Sequence, residues 1–306
     1  MNNPLKISII IPTYNRPDDL KNCLSSILKQ TVRPYEIIVI DDGDLRAPPL
    51  RKTYEEKGIG YVYRRKNTPG LTASRNLGLS LSKGDIIFFL DDDVILFPNY
   101  LEEIMKVYDT YHDPNLAGVG GIIENVRLKW RIYDAFFLIS GIREGEVLRS
   151  GFTTNYGTGF PPKRVMKVDF LMGGVSSYRR EIFSEFLFSE EYRGYGKGED
   201  KDFSYRVSRK YLLLINPSAR LYHYESPQMR YDKARNAQEF IFVRYKFFKD
   251  YLYKHKRDWL FFCWASVGYF LRRMTIMVFT FDIKEAGRIK GILKGFRDIL
   301  VHMKSR

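Results

Sequence analysis

Three stretches of the chain, KISIIIP (6–12), YEIIVIDD (35–42) and DIIFFLDDD (85–93), each hold a run of apolar residues that does not alternate. A strand with one wet face alternates apolar and polar residues, so runs like these read as strands buried on both faces. Helical patterns separate them. RPDDLKNCLSSILKQ (16–30) spaces Leu20, Cys23, Leu24, Ile27 and Leu28 along one helix face, with Pro17 near the first turn. TASRNLGLSLSKG (72–84) and PNYLEEIMKVYDTY (98–111) also read as helices, GYVYRR (60–65) as a short strand and LAGVGGIIENV (116–126) as a further strand. LRAPPLRKTYEEKG (45–58) defines no element. Buried strands alternating with amphipathic helices predict an α/β, Rossmann-like, mainly parallel sheet with helices on both faces.

In such sheets ligands bind beyond the carboxyl ends of the strands. Two strands end there in acids, Asp41-Asp42 and Asp91-Asp92-Asp93. Three adjacent like charges repel, and protonation, a bound cation or a well-solvated turn relieves them. An acid after the second strand can accept the N–H of a nucleobase. An Asp-x-Asp can hold a divalent ion that neutralises a diphosphate, because hard cations take carboxylate and phosphate oxygens together. The first strand runs into PTYNRP, where a phosphate-binding loop or dinucleotide fingerprint needs glycines.

Beyond residue 126 the pattern loosens. GFTTNYGTGFPPKR (151–164) reads as a long loop, and VDFLMGGVSSYRREIF (168–183) as strand, small-residue turn and helix start. YRGYGKGEDKDFSYRVSRK (192–210) reads as a glycine-rich approach, an acidic cluster and a helix, and YLLLINPSARLYHYESP (211–227) closes the first domain.

The ordered set IIIPTYNRPDDLKNCLSSILKQT, EIIVIDDG, LTASRNLGLSLSKGDIIFFLDDDV and GEDKDFSYRV resembles family-2 glycosyltransferases of the GT-A fold, over about residues 5–225. The resemblance implies a glycosyltransferase of hexosyltransferase type, moving a sugar from a nucleoside-diphosphate sugar with inversion. It places Pro12, Thr13, Tyr14 and Asp42 at the base and Arg75 near the diphosphate. It places Asp91 at the ribose or the metal, Asp92 at the variable middle position, and Asp93 on a Mn²⁺ or Mg²⁺ ion. His223 matches a third metal ligand of some relatives, or is a structural histidine. Gly173 and Gly174 match the acceptor turn, or are a plain tight turn. Glu199-Asp200 matches the family's Glu-Asp pair, with Asp200 the base that takes the acceptor proton and Asp202 its rival. An inverting displacement needs one such base and no covalent intermediate. Asp44 stands where the family pattern has Ser, so the loop after the second strand departs from it.

Of the net charge of +14, all lies in residues 201–306, which hold 23 Lys+Arg and 9 Asp+Glu. Residues 228–306 form a basic, aromatic helical tail after a catalytic domain of residues 1–227. WLFFCWASVGYFLRRMTIMVFTF (259–281) has the length of a membrane span, but two central arginines cost about 5–7 kcal/mol there, so a span is disfavoured. Two readings of the tail remain: helices in the interface of an anionic membrane, or helices packed on the sheet or on a second subunit as a homodimer. Cys23 and Cys263 suggest neither a disulfide nor a zinc site, and no signal peptide is expected. The expected enzyme is cytoplasmic and peripheral on the inner face of the cell membrane, acting on a hydroxyl or phosphate of a glycan or polyprenyl-linked acceptor. A sugar-nucleotide nucleotidyltransferase would want a glycine-rich loop after the first strand. A basic nucleic-acid-binding module leaves the strand-end acids unexplained, so no nucleic-acid partner is expected.

Overall fold

The uninterrupted apolar runs are strands, and both faces of each are covered. A computed structural model describes residues 4–125, 131–141, 143–154, 162–192, 197–224, 226 and 232–304. Parts of the loop read at 151–164 and of the approach read at 192–198, and the expected domain boundary at 227/228, lie outside these residues. The chain separates into two units, residues 1–127 with 156–229, and residues 128–155 with 230–306.

Among the described residues, the first unit holds a nine-stranded mixed sheet. Its strands are Ile7–Thr13 (β1), Glu36–Asp41 (β2), Gly60–Arg65 (β3), Ile86–Leu90 (β4), Val94–Leu96 (β5), Leu116–Ile123 (β6), Met166–Lys167 (β7), Val175–Arg179 (β8) and Leu212–His223 (β9). The order is β3-β2-β1-β4-β8-β6-β9-β5, with β7 also on β9. β3, β2, β1 and β4 are mutually parallel, and β6 runs parallel to β9. The antiparallel β8 lies between β4 and β6, so the sheet is mainly parallel in direction. Pro17–Ile27 (α1), Arg51–Glu56 (α2), Leu71–Leu81 (α3), Tyr100–Thr110 (α4) and Glu199–Ser208 (α6) accompany it. The helix α1 buries Leu20, Cys23, Leu24 and Ile27 as its spacing predicts, while Leu28 caps it and is only partly buried. The short α2 and β5 are elements the pattern did not reveal.

The second unit is helical: Arg131–Phe136 (α5), Lys233–Phe247 (α7), Asp258–Thr280 (α8) and Ile283–Lys304 (α9). Its own core joins Tyr245 of α7, Phe262, Ala265 and Tyr269 of α8, and Ile292 and Ile299 of α9. A Cβ at Gly291 would lie 2.0 Å from the Ala234 carbonyl oxygen, so α9 meets the backbone of α7 through a bare glycine. Arg272 and Arg273 are lone charges in an apolar run by sequence, but here they are paired. Arg272 donates to both oxygens of the buried Asp134, at 2.6 and 2.7 Å, and Arg273 lies 3.6 Å from Glu285. Among the described residues no helix is long and apolar enough to cross a membrane.

Candidate active site

The three aspartates after β4 escape mutual repulsion by turning to three different sets of partners. Asp92 points inward. It accepts from Thr13 Oγ1 at 2.7 Å and Arg16 Nη1 at 3.1 Å. Burial pushes its carboxyl up to about 7 against the pull of Arg16 and Thr13. Asp93 is buried too, which opposes ionisation. The His223 ring at 2.9 Å, the Ser226 N–H at 2.9 Å and Arg16 at 3.7 Å nevertheless hold it well below the usual carboxylate range. Asp91 is the more open of the three. One oxygen accepts from Arg75 Nη2 at 3.3 Å, and the other lies 3.9 Å from His223 Nε2.

His223 reaches these acids through backbone pairing. β5 follows the turn directly and pairs antiparallel with the end of β9, setting Val94 opposite His223. The Tyr224 N–H donates to the Asp93 carbonyl at 2.9 Å and locks that register. One ligand atom from each of Asp91, Asp93 and His223 lies within 4.8 Å of the others. Two carboxylates and an imidazole form a donor set that suits a hard or borderline divalent cation.

Asp42 follows β2, two strands from β4 with β1 between, on the same edge. The β1–β2 ladder sets Pro12 opposite Ile40 and Thr13 opposite Asp41, and the Asp42 N–H donates to the Thr13 carbonyl. Pro12 and Thr13 are buried, and Tyr14 is partly exposed. The Asp42 carboxylate accepts from Ser74 Oγ at 2.7 Å, Lys66 Nζ at 3.1 Å and the Gly70 N–H at 2.9 Å. A carboxylate has about four lone-pair sites, so one acceptor direction is left. Asp41 instead ties down the following loop, accepting from the Gly43 and Leu45 N–H groups and from Tyr63. Asp44 lies exposed in an ion pair with Arg65 at 2.9 Å.

Arg75 is 1% exposed, and its guanidinium bridges two parts of the site. Nη1 donates to Glu199 at 2.6 Å and Nη2 to Asp91. Burial and the adjacent Asp200 carboxylate push Glu199 up to about 8, while Arg75 pulls the other way. Glu199 and Asp200 open α6 directly after Gly198, whose φ of 80° lies in the left-handed region where glycine is favoured. Asp200 accepts from the Gly173 N–H at 2.9 Å and the Lys201 N–H at 2.8 Å, and it is partly exposed. Asp202, the rival base, is buried and pairs with Arg206 at 3.0 Å along the same helix.

The two glycines before β8 leave space for charged groups. A Cβ on Gly173 would lie 2.8 Å from Arg75 Nη2 and 2.9 Å from the Asp200 Cβ, and one on Gly174 would lie 2.2 Å from Asp91 Oδ2. The sequence reading assigns these glycines to approach of an acceptor. The geometry adds a second reason, room for the Asp91 carboxylate and for Arg75.

Every candidate residue therefore has a described position. The strands gather Pro12, Thr13, Tyr14, Asp42, Asp91, Asp92, Asp93, Gly173, Gly174 and His223 at one edge, and side-chain contacts bring Arg75 of α3 and Glu199 and Asp200 of α6 to it. Sequence reasoning overlooked Arg16 and Lys66, the cations that steady Asp92, Asp93 and Asp42. The signal was present in the charge balance: five strand-end acids need nearby cations, and Arg16 lies within PTYNRP itself.

The family model for Glycosyl transferase family 2 matches residues 8–187. The hyaluronan synthase of Pasteurella multocida is 30% identical over 260 residues, 76% of this chain and 26% of that protein. The glycosyltransferase YwdF of Bacillus subtilis is 40% identical over 106 residues, 35% of this chain and 39% of the relative. The matched regions thus span well under half of these relatives. Among solved structures, the mannosyltransferase PcManGT from Pyrobaculum calidifontis, in complex with GDP-Man and Mn²⁺, aligns with a TM-score of 0.59 at 15% identity, over 97% of this chain and 88% of its own. S. aureus TarS 1–349 in complex with UDP aligns at 0.56 and 16%, over 92% and 77%. At such identities these structures speak for the fold alone.

Proposed function

Since the chain belongs to glycosyltransferase family 2, we propose that it is an inverting, divalent-metal-dependent glycosyltransferase that uses a nucleoside-diphosphate sugar. The observation that carries this reading is the convergence of Asp91, Asp93 and His223 at one sheet edge, with Asp200 held across the Gly173–Gly174 turn. The GDP-Man and Mn²⁺ in PcManGT and the UDP in TarS support a nucleotide-sugar donor and a cation.

In this reading Asp42 accepts a base N–H with its remaining lone pair, and Pro12, Thr13 and Tyr14 line that pocket. Asp91, Asp93 and His223 hold Mn²⁺ or Mg²⁺, which when bound neutralises the diphosphate. Asp92 supports the pocket from behind through Thr13 and Arg16. Asp200 takes the proton of the acceptor hydroxyl as its oxygen bonds to the anomeric carbon and the bond from that carbon to the diphosphate breaks. Glu199, Gly173 and Gly174 border the acceptor, and Arg75 holds Glu199 and Asp91 in register. The acceptor is a hydroxyl or phosphate of a glycan or polyprenyl-linked molecule. The enzyme works as a peripheral protein on the inner face of the cell membrane, in contact with anionic lipid, and residues 1–227 carry the catalysis.

Thermal shift with UDP and GDP, each with Mn²⁺, Mg²⁺ or EDTA, tests the donor site. At about 100 times its dissociation constant a ligand stabilises by about 2.7 kcal/mol, so a cation-dependent rise in Tm is expected. Equal shifts in EDTA would remove the metal from the reading, and no shift with any diphosphate would remove the donor. Gly174→Ala gives a finer test. Its Cβ must displace the Asp91 carboxylate, so the Mn²⁺ needed for half the shift should rise by about 10-fold or more, the scale of lost support around a ligand.

A further inference from the structure

The second unit presents an apolar face that its own core does not use. Leu260, Trp264, Val267 and Leu271 recur along α8 at intervals of four, three and four residues, which is one helix face. They are 71%, 43%, 50% and 44% exposed, whereas Phe262, Ala265 and Tyr269 on the other side are buried. On α5, Ile132 and Phe136 extend this face. The Phe136 ring packs 5.3 Å from Trp264, and Trp264 Nε1 donates to the Phe136 carbonyl at 2.8 Å. Ile132 and Phe136 are 90% and 65% exposed. A contiguous patch of six large apolar side chains marks an interaction surface.

Charge identifies the occupant. No residue on the exposed face of α8 between Leu260 and Leu271 is charged, and the segment leading into it exposes Lys254, Lys256 and Arg257. Asp250 and Asp258 offset part of this rim, and other acids are engaged within the unit. Asp134 holds Arg272, Glu285 holds Arg273 and Arg288, and Asp258 accepts the Lys254 and His255 N–H groups. Residues 230–306 hold 18 Lys+Arg against 7 Asp+Glu. A second copy on this face would bring like charges together. A nucleic acid would satisfy the rim and leave six apolar side chains without a partner. An anionic bilayer offers an apolar interior beneath a negative surface.

We propose that α8 lies flat on anionic membrane, with Leu260, Trp264, Val267 and Leu271 of α8 and Ile132 and Phe136 of α5 entering the lipid and the Lys254–Arg257 segment at the headgroups. This deepens the peripheral placement proposed above and rests on it, but it does not depend on sugar transfer.

The test is co-sedimentation of the full chain with phosphatidylcholine vesicles, with and without phosphatidylglycerol, at low and high salt. Binding to the anionic vesicles is expected to exceed binding to the neutral ones by at least 10-fold at low salt and to weaken in high salt. Val267→Glu with Leu271→Glu alters only exposed positions. It should cut vesicle binding at least 10-fold while leaving Tm and the nucleoside-diphosphate shift unchanged. Protein that stays in the supernatant with every vesicle overturns the proposal. So does a double variant that binds like the parent, since charge alone then suffices. A dimer of the parent chain that the double variant loses would assign the face to a second copy and overturn it equally. Because the donor shift is read separately, a failed donor site leaves the vesicle result intact.

Discussion

Asp200→Asn is expected to cut turnover by about 10²–10⁴-fold while leaving nucleoside-diphosphate affinity nearly unchanged, the signature of a lost general base. The change is nearly isosteric. In the parent, one carboxylate oxygen accepts from the Gly173 N–H and the other from the Lys201 N–H. An amide has only one oxygen, so one of these contacts is lost, and that costs about 1–3 kcal/mol. The loss is small beside the loss of proton acceptance, and it falls on the α6 side of the site rather than on Asp42 or Asp93. Asp202→Asn is the control. It breaks an ion pair with Arg206 within one helix, so turnover should stay within a few-fold of the parent. Single-turnover rates and nucleoside-diphosphate titrations on both variants decide the matter. If Asp202→Asn is the inactive one, the base lies two residues further along the chain.

Arg75→Met is expected to have the largest effect on stability. It keeps the unbranched stem of the side chain but removes the guanidinium that spans Glu199 and Asp91. At neutral pH, with Glu199 held mainly protonated, the change leaves that buried carboxyl without its donor and Asp91 without its neighbouring cation, each costing about 1–3 kcal/mol. At about 2–4 °C per kcal/mol for a unit of this size, Tm should fall by roughly 4–24 °C. The pH dependence separates this cause from simple loss of packing. Glu199 titrates at about 8 in the folded protein, above its ordinary value of 4.5. A carboxyl with a raised folded pKa gives stability that is fully present below the unfolded value and lost as pH rises through the folded one. Without Arg75 the folded value rises further, so Glu199 pulls against folding differently only above about pH 8, where the parent ionises and the variant does not. The Tm gap between parent and variant should therefore widen as pH rises from about 6 to about 9, because the variant goes on losing stability where the parent has stopped, and Glu199→Gln in both backgrounds should abolish that widening. A gap independent of pH, with or without Glu199, would mean that Arg75 acts as packing alone.

Elements with strong periodicity and clear punctuation were legible in the sequence. β1, β2 and β4 are buried throughout because both faces are covered, and α1 buries Leu20, Cys23, Leu24 and Ile27 of the residues that its spacing marks. β5 escaped notice because its three residues follow the aspartates without a turn signal, and their pairing partner is more than 120 residues away. That partner is the end of β9, so the meeting of His223 with Asp93 rested on the same pairing and only the family pattern suggested it. α5 falls where the pattern loosens. Nothing in RIYDAF marks it as belonging with the last third of the chain, yet Asp134 is the acid that receives Arg272. Side-chain direction was the least legible property of all. DDD reads as one cluster, and only the fold sends Asp92 inward to Thr13 and leaves Asp91 beside Arg75.

The antiparallel contact that sets Leu90 opposite Val175 has a consequence for how such an enzyme can change. Asp91 follows one of these residues and Gly174 precedes the other, while Gly173 holds Asp200 through its backbone N–H. On the roles proposed for Asp91 and Asp200, the spacing between these two carboxylates is thus gauged by main chain. Side chains in neighbouring loops can be exchanged, and a new acceptor accommodated, with that gauge left at its original length. Substitutions that thicken the turn itself, at Gly173 or Gly174, alter it.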